Sequence, residues 1–249
     1  MDQRIEKVMT DYENYRMGLD DKFSFKCREC GKCCKNRDDI LLTARDLYNI
    51  AKYLGRTIDE IIHRYCEIYI GDSSRIPIVR LKPSGPENAC PLLRYKHCIV
   101  HNAKPTVCAL FPLGRAVTMP QNGAGIEITE DIQPQYFMHP ATCGSQSSIY
   151  TVRNWLEMFR IPIEDEFYSL WTSAIIFISN YFIVLEEQKV PDCAVECLWS
   201  VAFSMLYLNF DTNVDFINQF NDNISKLKAV LIIAKDKTET QERGIPDGE

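Results

Sequence analysis

Basic charge is scarce in this sequence: 28 lysines and arginines face 34 aspartates and glutamates, leaving a formal charge of −6 and an isoelectric point near 5.4. A nucleic-acid or anionic-membrane surface normally carries a basic excess, so neither is expected as a partner. The amino terminus, MDQRIEKVMTDYENYRMGLDD, lacks an apolar signal-peptide stretch, which points to a reducing cytoplasm. Glycine-rich nucleotide loops are missing as well: GAG at Gly123, Ala124 and Gly125 follows no convincing strand, so an S-adenosylmethionine loop has no support. No Ser-His-Asp set, paired catalytic carboxylates or internal repeat stands out. One long uncharged run exists, FYSLWTSAIIFISNYFIVL at residues 167–185. It reaches only the lower limit for a membrane span, and its hydroxyl residues and acidic flanks favour a buried core helix.

Cysteine, by contrast, is plentiful: eleven in 249 residues, in a chain whose 46% apolar content can build a core without a metal staple. The stretch FKCRECGKCCKN carries Cys27, Cys30, Cys33 and Cys34. The first three follow C-x2-C-x2-C, a spacing that lets one tight loop aim three sulfurs at a common point, as a tetrahedral zinc or a cubane iron–sulfur cluster demands. Chance produces such a run roughly once in a thousand such chains. In a reducing compartment, clustered thiols bind metal or do redox chemistry more often than they form permanent bridges. Side chains of adjacent residues diverge, so Cys34 is expected to serve a second centre or to substitute for one of the three. Downstream stand Cys90-Pro91, Cys98, Cys108 and Cys143-Gly144. A remote cysteine followed by proline completes the cluster in bacterial ferredoxins, and Cys90 is the candidate for that role.

The pattern divides the chain into an N-terminal helix (1–24), a metal-binding module (25–148), a helical region packed on it (149–235) and a disordered tail (236–249). Thr43 reads as an N-cap and Gly55 as the stop of a first module helix; a second is expected from Thr57 through IDEIIHRYCEIYI to Gly71. Residues 76–143 hold most of the twelve prolines and short β-prone pieces, IPIVRL and IEITEDI. Helices broken near Pro162, Pro191 and Asp211 are expected from residue 149 to about 234. The fold class is therefore mainly α with short β strands, α+β, a loop-rich cysteine module against a helical C-terminal half. Cys66 reads as a buried helical residue, and Cys193 and Cys197, at i and i+4, as packing residues of one helix face. His63, His97 and His139 read as surface or hydrogen-bonded histidines.

The strings CRECGKCC, ILLTARDLYNIAKYLG, ACPLLRYKHCIVHNAKPTVCALFPLG and TCG, over residues 25–144, resemble the CxxCxxCC cysteine-cluster family, also called YkgJ-like. It is a zinc- or iron-chelating domain with related sequence in flagellin lysine N-methylases. The resemblance implies a compact metal-binding module and carries eight ligand positions: Cys27, Cys30, Cys33, Cys34, Cys90, Cys98, Cys108 and Cys143. Where that family usually has tyrosine this chain has His101, which becomes a reserve ligand, and where it usually has Arg-Pro this chain has Lys104-Pro105.

The expected function is that of a metal-binding protein with a redox or metal-handling role. Its ligand is a [4Fe–4S] iron–sulfur cluster by preference, because three closely spaced cysteines plus remote ones are cubane-like, with zinc as the alternative. A methyltransferase acting on protein lysine, like the flagellin N-methylases, is the alternative activity, and a further protein partner is compatible with either. Lys22, Lys26, Arg28, Lys32, Lys35 and Arg37 surround the first motif, where cations would favour thiolates and raise a cluster's reduction potential.

Overall fold

The computed structural model describes residues 12–117, 134–139, 141 and 143–242. The expected strand IEITEDI, the GAG at residues 123–125 and the N-terminal residues 1–11 lie outside them.

After one helical turn at Tyr12–Tyr15, the chain enters strands rather than continuing as a helix to residue 24: β1 (Arg16–Met17) and β2 (Lys22–Lys26). The reason is visible in KFSFK, whose alternation buries Phe23 and Phe25 on one face. Helix α1 (Ala44–Leu54) starts at Thr43 in a full capping box with Asp46 and stops at Gly55, whose φ of 61° is the left-handed geometry that glycine adopts without penalty. Helix α2 (Ile58–Tyr65) is capped the same way by Thr57 and Glu60. It ends six residues short of Gly71, because CEIYI pairs instead as β3 (Cys66–Ile70) with β4 (Pro77–Leu81) in a two-stranded antiparallel ribbon. The β-branched and aromatic residues there prefer a pleated strand once a partner is available.

The module continues through β5 (Leu93–Arg94) and β6 (His97–Cys98), the short helix α3 (Thr106–Leu110), and β7 (Leu113–Val117), which pairs with β8 (Pro134–Met138). Strand β1 joins the other edge of β8, giving a three-stranded sheet. Strand β9 (Ser145–Thr151) then pairs antiparallel with β2, so residues 149–151 are extended rather than helical. Helices follow: α4 (Val152–Met158), α5 (Glu166–Glu187), α6 (Asp192–Phe203) and α7 (Phe216–Glu242). Helix α7 carries the backbone on through residue 242, so residues 236–242 are helical and not an unstructured tail.

Two apolar clusters organise these elements. The larger joins Leu47, Ile50, Ile61 and Val79 of the module to Phe182, Leu206, Phe220 and Leu227 of the helical half. Helix α5 is long and apolar enough to cross a membrane by length and composition, with 22% of its most apolar window buried. The face it buries, including Ala174, Ile178 and Phe182, belongs to this cluster. The smaller cluster gathers Phe23 and Phe25 of β2, Ala109 and Leu110 of α3, and Val152, Trp155 and Leu156 of α4. Asp165, 2% exposed at its side chain, ties three elements together. It N-caps α5, takes both Arg45 nitrogens at 2.7 and 2.6 Å, and meets Arg115 at 3.3 Å. Burial works against its charge, but the two guanidiniums outweigh it and hold the carboxyl below its ordinary range. That contribution to stability is present at neutral pH and is lost as the pH falls through the carboxylate range.

Both clusters cross residue 144. A fragment ending at Gly144 lacks β9 and the α4 side chains Val152, Trp155 and Leu156, 0–3% exposed in the whole chain. Each such burial contributes about 1.5–3 kcal/mol, so the fragment is expected to be unfolded by circular dichroism. Folding and metal binding equal to the full chain would contradict this.

Candidate metal centre

The first cysteine loop leaves β2 at Lys26. Gly31, at φ 68°, turns the chain into a 3-10 turn at Lys32–Cys34, closed by the Cys34 N–H donating to the Gly31 carbonyl at 3.1 Å. That tight turn overrides the expected divergence of Cys33 and Cys34: their sulfurs stand 4.0 Å apart. The loop is pinned to the second cysteine segment by main-chain bonds. The Cys90 N–H donates to the Cys34 carbonyl at 2.7 Å and the Asn36 N–H to the Asn88 carbonyl at 2.9 Å. Cys98 sits on β6, opposite Leu93 in the β5–β6 hairpin.

Cys143 arrives from the other direction. Strand pairing sets Lys26 opposite Ser145, so Cys27 and Cys143 leave the same end of one ribbon. Gly144 makes this possible: it has φ 81°, and a Cβ there would lie 2.5 Å from the Phe25 ring and 2.9 Å from the Lys26 carbonyl oxygen. Cys108 comes from α3, whose last carbonyl region is held by the Trp155 indole N–H donating to Leu110 O at 2.9 Å.

These elements enclose one cavity of about 110 Å3, and Cys27, Cys30, Cys33, Cys34, Cys90, Cys98, Cys108 and Cys143 all line it. A single water needs only about 10–15 Å3 by the same measure, so the space exceeds that of one bare ion. The cavity lies where the two apolar clusters meet: Ile40, Leu81 and Leu92 face it from one, Phe25, Phe111 and Trp155 from the other. Among the described residues, no three Cys, His, Asp or Glu side chains already converge in a ready-made chelating arrangement; the thiols are spread around the wall.

The thiols differ electrostatically. A hydrogen bond from Cys34 lowers the Cys33 pKa to about 6, with Arg37 acting in the same direction, while the same contact and burial push Cys34 up. Burial raises Cys90, Cys98 and Cys108, and takes Cys143 to about 11. Most of these groups are therefore neutral thiols at pH 7 and must release protons to ligate a cation. Cys27 and Cys30 are exposed and mark the open side.

Of the six cations around the first motif, Arg28 and Arg37 line the cavity. Arg37 is also paired with Asp39, and Lys35 reaches Glu87 at 2.7 Å. Lys96 and Lys104 line the cavity as well, and Lys104, which stands where the family usually has arginine, holds its Nζ 4.3 Å from the centre of the Phe159 ring. The aromatic wall of Phe25, Phe111, Trp155 and Phe159 is not evident from the cysteine spacing. The i, i+4 pair Trp155 and Phe159 on the helix that follows β9 is its one local signal. His101 lines the cavity too, whereas His63, His97 and His139 do not.

The other three cysteines are elsewhere. Cys66 is buried in the larger cluster as the first residue of β3, not within a helix. Cys193 and Cys197 are exposed on α6, so they do not pack, because α6 turns Leu198 and Trp199 rather than its thiols toward the core. In metal-free protein, Cys27, Cys30, Cys193 and Cys197 are expected to alkylate first. Metal loading should protect the first two and leave Cys193 and Cys197 reactive, as peptide mass spectrometry would show; protection of the α6 pair would place it in a metal site.

Residues 26–144 match the model of the CxxCxxCC family, described as a "Putative zinc- or iron-chelating domain". "Uncharacterized protein MJ0661" of Methanocaldococcus jannaschii is 31% identical over 109 residues, 44% of this chain and 53% of that protein. The chain thus spans about half the length of this curated relative. No solved structure matches.

Proposed function

With residues 26–144 forming a CxxCxxCC zinc- or iron-chelating domain, we propose that the eight cysteines of the cavity hold an iron–sulfur cluster for a redox or metal-handling role. The observation that carries this reading is that thiols from four separate chain segments line one cavity larger than a single ion. Thiolate donors suit both iron–sulfur clusters and zinc. The distribution of sulfurs around a wall suits a cubane, whose four ligands attach to four different iron atoms, better than one tetrahedral ion. Eight thiolates also suffice for a cluster and a second four-coordinate metal.

The surroundings support electron or metal exchange. Phe25, Phe111, Trp155 and Phe159 exclude water from one side, and Arg28, Arg37, Lys96 and Lys104 offset thiolate charge. The exposed Cys27 and Cys30 leave an approach from solvent. A cluster bound there would supply one-electron chemistry; the chain's own part is to gather the thiols, shield them and set the local charge.

The test is the visible spectrum with iron, acid-labile sulfide and zinc content of protein purified without oxygen. Brown protein with stoichiometric iron and sulfide supports the cluster. Colourless protein with zinc overturns the cluster while keeping the chelating function, and protein that takes up neither after reconstitution overturns both.

A further inference from the structure

We infer that Asp46 is a positioning residue of the thiol cavity, fixing Cys108 in place from a helix that contributes no thiol. The inference rests on the chelating function proposed above. Asp46 is 4% exposed, and both of its carboxylate oxygens are fully used. Oδ2 accepts from the Thr43 N–H at 2.9 Å and the Thr43 hydroxyl at 2.8 Å, the capping box of α1. Oδ1 accepts from the Thr106 N–H and the Thr106 hydroxyl, each at 2.8 Å.

Thr106 is the first residue of α3, and Cys108 is two residues further on. A five-residue helix cannot hold itself, since nucleation costs more than so few hydrogen bonds return. Its cap position is Pro105, which makes no side-chain cap bond. The first orphan amide of α3 is therefore satisfied from another helix, 60 residues away in sequence. At the opposite end, Trp155 binds the Leu110 carbonyl. Clamped at both ends, α3 has one position, and the Cys108 sulfur has one place on the cavity wall.

The chemistry explains why a carboxylate stands here. Four donors converge on Asp46, and a carboxylate accepts all four. Asparagine accepts at one oxygen only, so its amide would face one threonine N–H that it cannot accept from, although the hydroxyl beside it could turn to accept from the amide.

The experiment uses the full chain with cobalt(II) as the probe, because thiolate-to-cobalt bands report both the number and the geometry of the sulfur ligands. Wild type, D46N, the milder T106V and T43V are compared, after far-ultraviolet circular dichroism has established which are folded. D46N and T106V are expected to bind cobalt(II) about tenfold or more weakly with altered bands, as loss of a ligand-orienting partner typically costs 10–100-fold. T43V removes only the hydroxyl bonds of the α1 arm and none to α3, so it should melt earlier and keep the wild-type bands. A parallel arm measures iodoacetamide labelling of Cys108 relative to Cys143 in metal-free protein, where D46N and T106V should raise the ratio. Unchanged bands and an unchanged ratio in both D46N and T106V would overturn the inference. Wild type that binds no cobalt(II) would count against the chelating function, and the labelling arm would still decide the placement of Cys108.

Discussion

Serine at Cys108 is expected to strip the protein of most of its bound metal, and serine at Cys30 to lower it, while serine at Cys66 or Cys197 leaves metal content at the wild-type level. The contrast follows from where the four thiols stand. Cys108 and Cys30 line the cavity from two separate chain segments, the helix α3 and the first cysteine loop. A hydroxyl replaces a soft thiolate poorly as a ligand for zinc or iron. Cys66 lies in the core, outside the cavity wall. Burial pushes its thiol up to about 12, as expected of a group that packs and never ionises. Its replacement puts a hydroxyl in an apolar site at a cost of about 1–3 kcal/mol, seen as a lower melting temperature with unchanged metal. Cys197 is exposed, so its serine variant should stay within about 0.5 kcal/mol of wild type. Elemental analysis of the four proteins, beside their melting curves, checks both halves. Full metal content in Cys108→Ser would remove α3 from the site.

Much of this arrangement was legible because it is local. The capping residues Thr43 and Gly55 announce α1 without reference to the rest of the fold. The C-x2-C-x2-C spacing identifies a loop that can converge, and the ordered strings of the family bring in Cys90, Cys98, Cys108 and Cys143. What escaped was set by partners distant in sequence. CEIYI has helical spacing until PIVRL offers it a ladder, and KFSFK, though it alternates, becomes a strand only where β9 pairs with it. The 4.0 Å approach of Cys33 and Cys34 depends on a 3-10 turn, where neighbours are closer than the general rule for adjacent residues allows. Nothing in the sequence singles out Asp46; only its second oxygen, bound to Thr106, connects it to the cavity.

Removing the metal should melt one end of the molecule and spare the other. Structural zinc in small peptides contributes an apparent 10–16 kcal/mol, about the whole stability of a domain, and a chelator withdraws that contribution from the segments that depend on it. Those segments are the first cysteine loop and the stretch from Ser84 to Ala103, whose backbone is turns, a two-residue hairpin and a 3-10 turn. Helices α5 and α7 rest instead on Phe182, Phe220, Leu227 and Leu231, all at most 2% exposed and remote from the thiols in sequence. Chelation is therefore expected to leave most of the helical circular dichroism in place while new protease cuts appear between residues 27 and 36 and between 84 and 103. Trp155 supplies an internal reporter: it lines the cavity, whereas Trp171 and Trp199 pack against the larger cluster. In a chain where Trp171 and Trp199 are replaced by phenylalanine, the remaining fluorescence should shift to longer wavelength on chelation, as the aromatic wall opens to water. Identical proteolysis and an unmoved Trp155 spectrum would mean that the two apolar clusters hold the cavity open by themselves, and that metal binds a site already built.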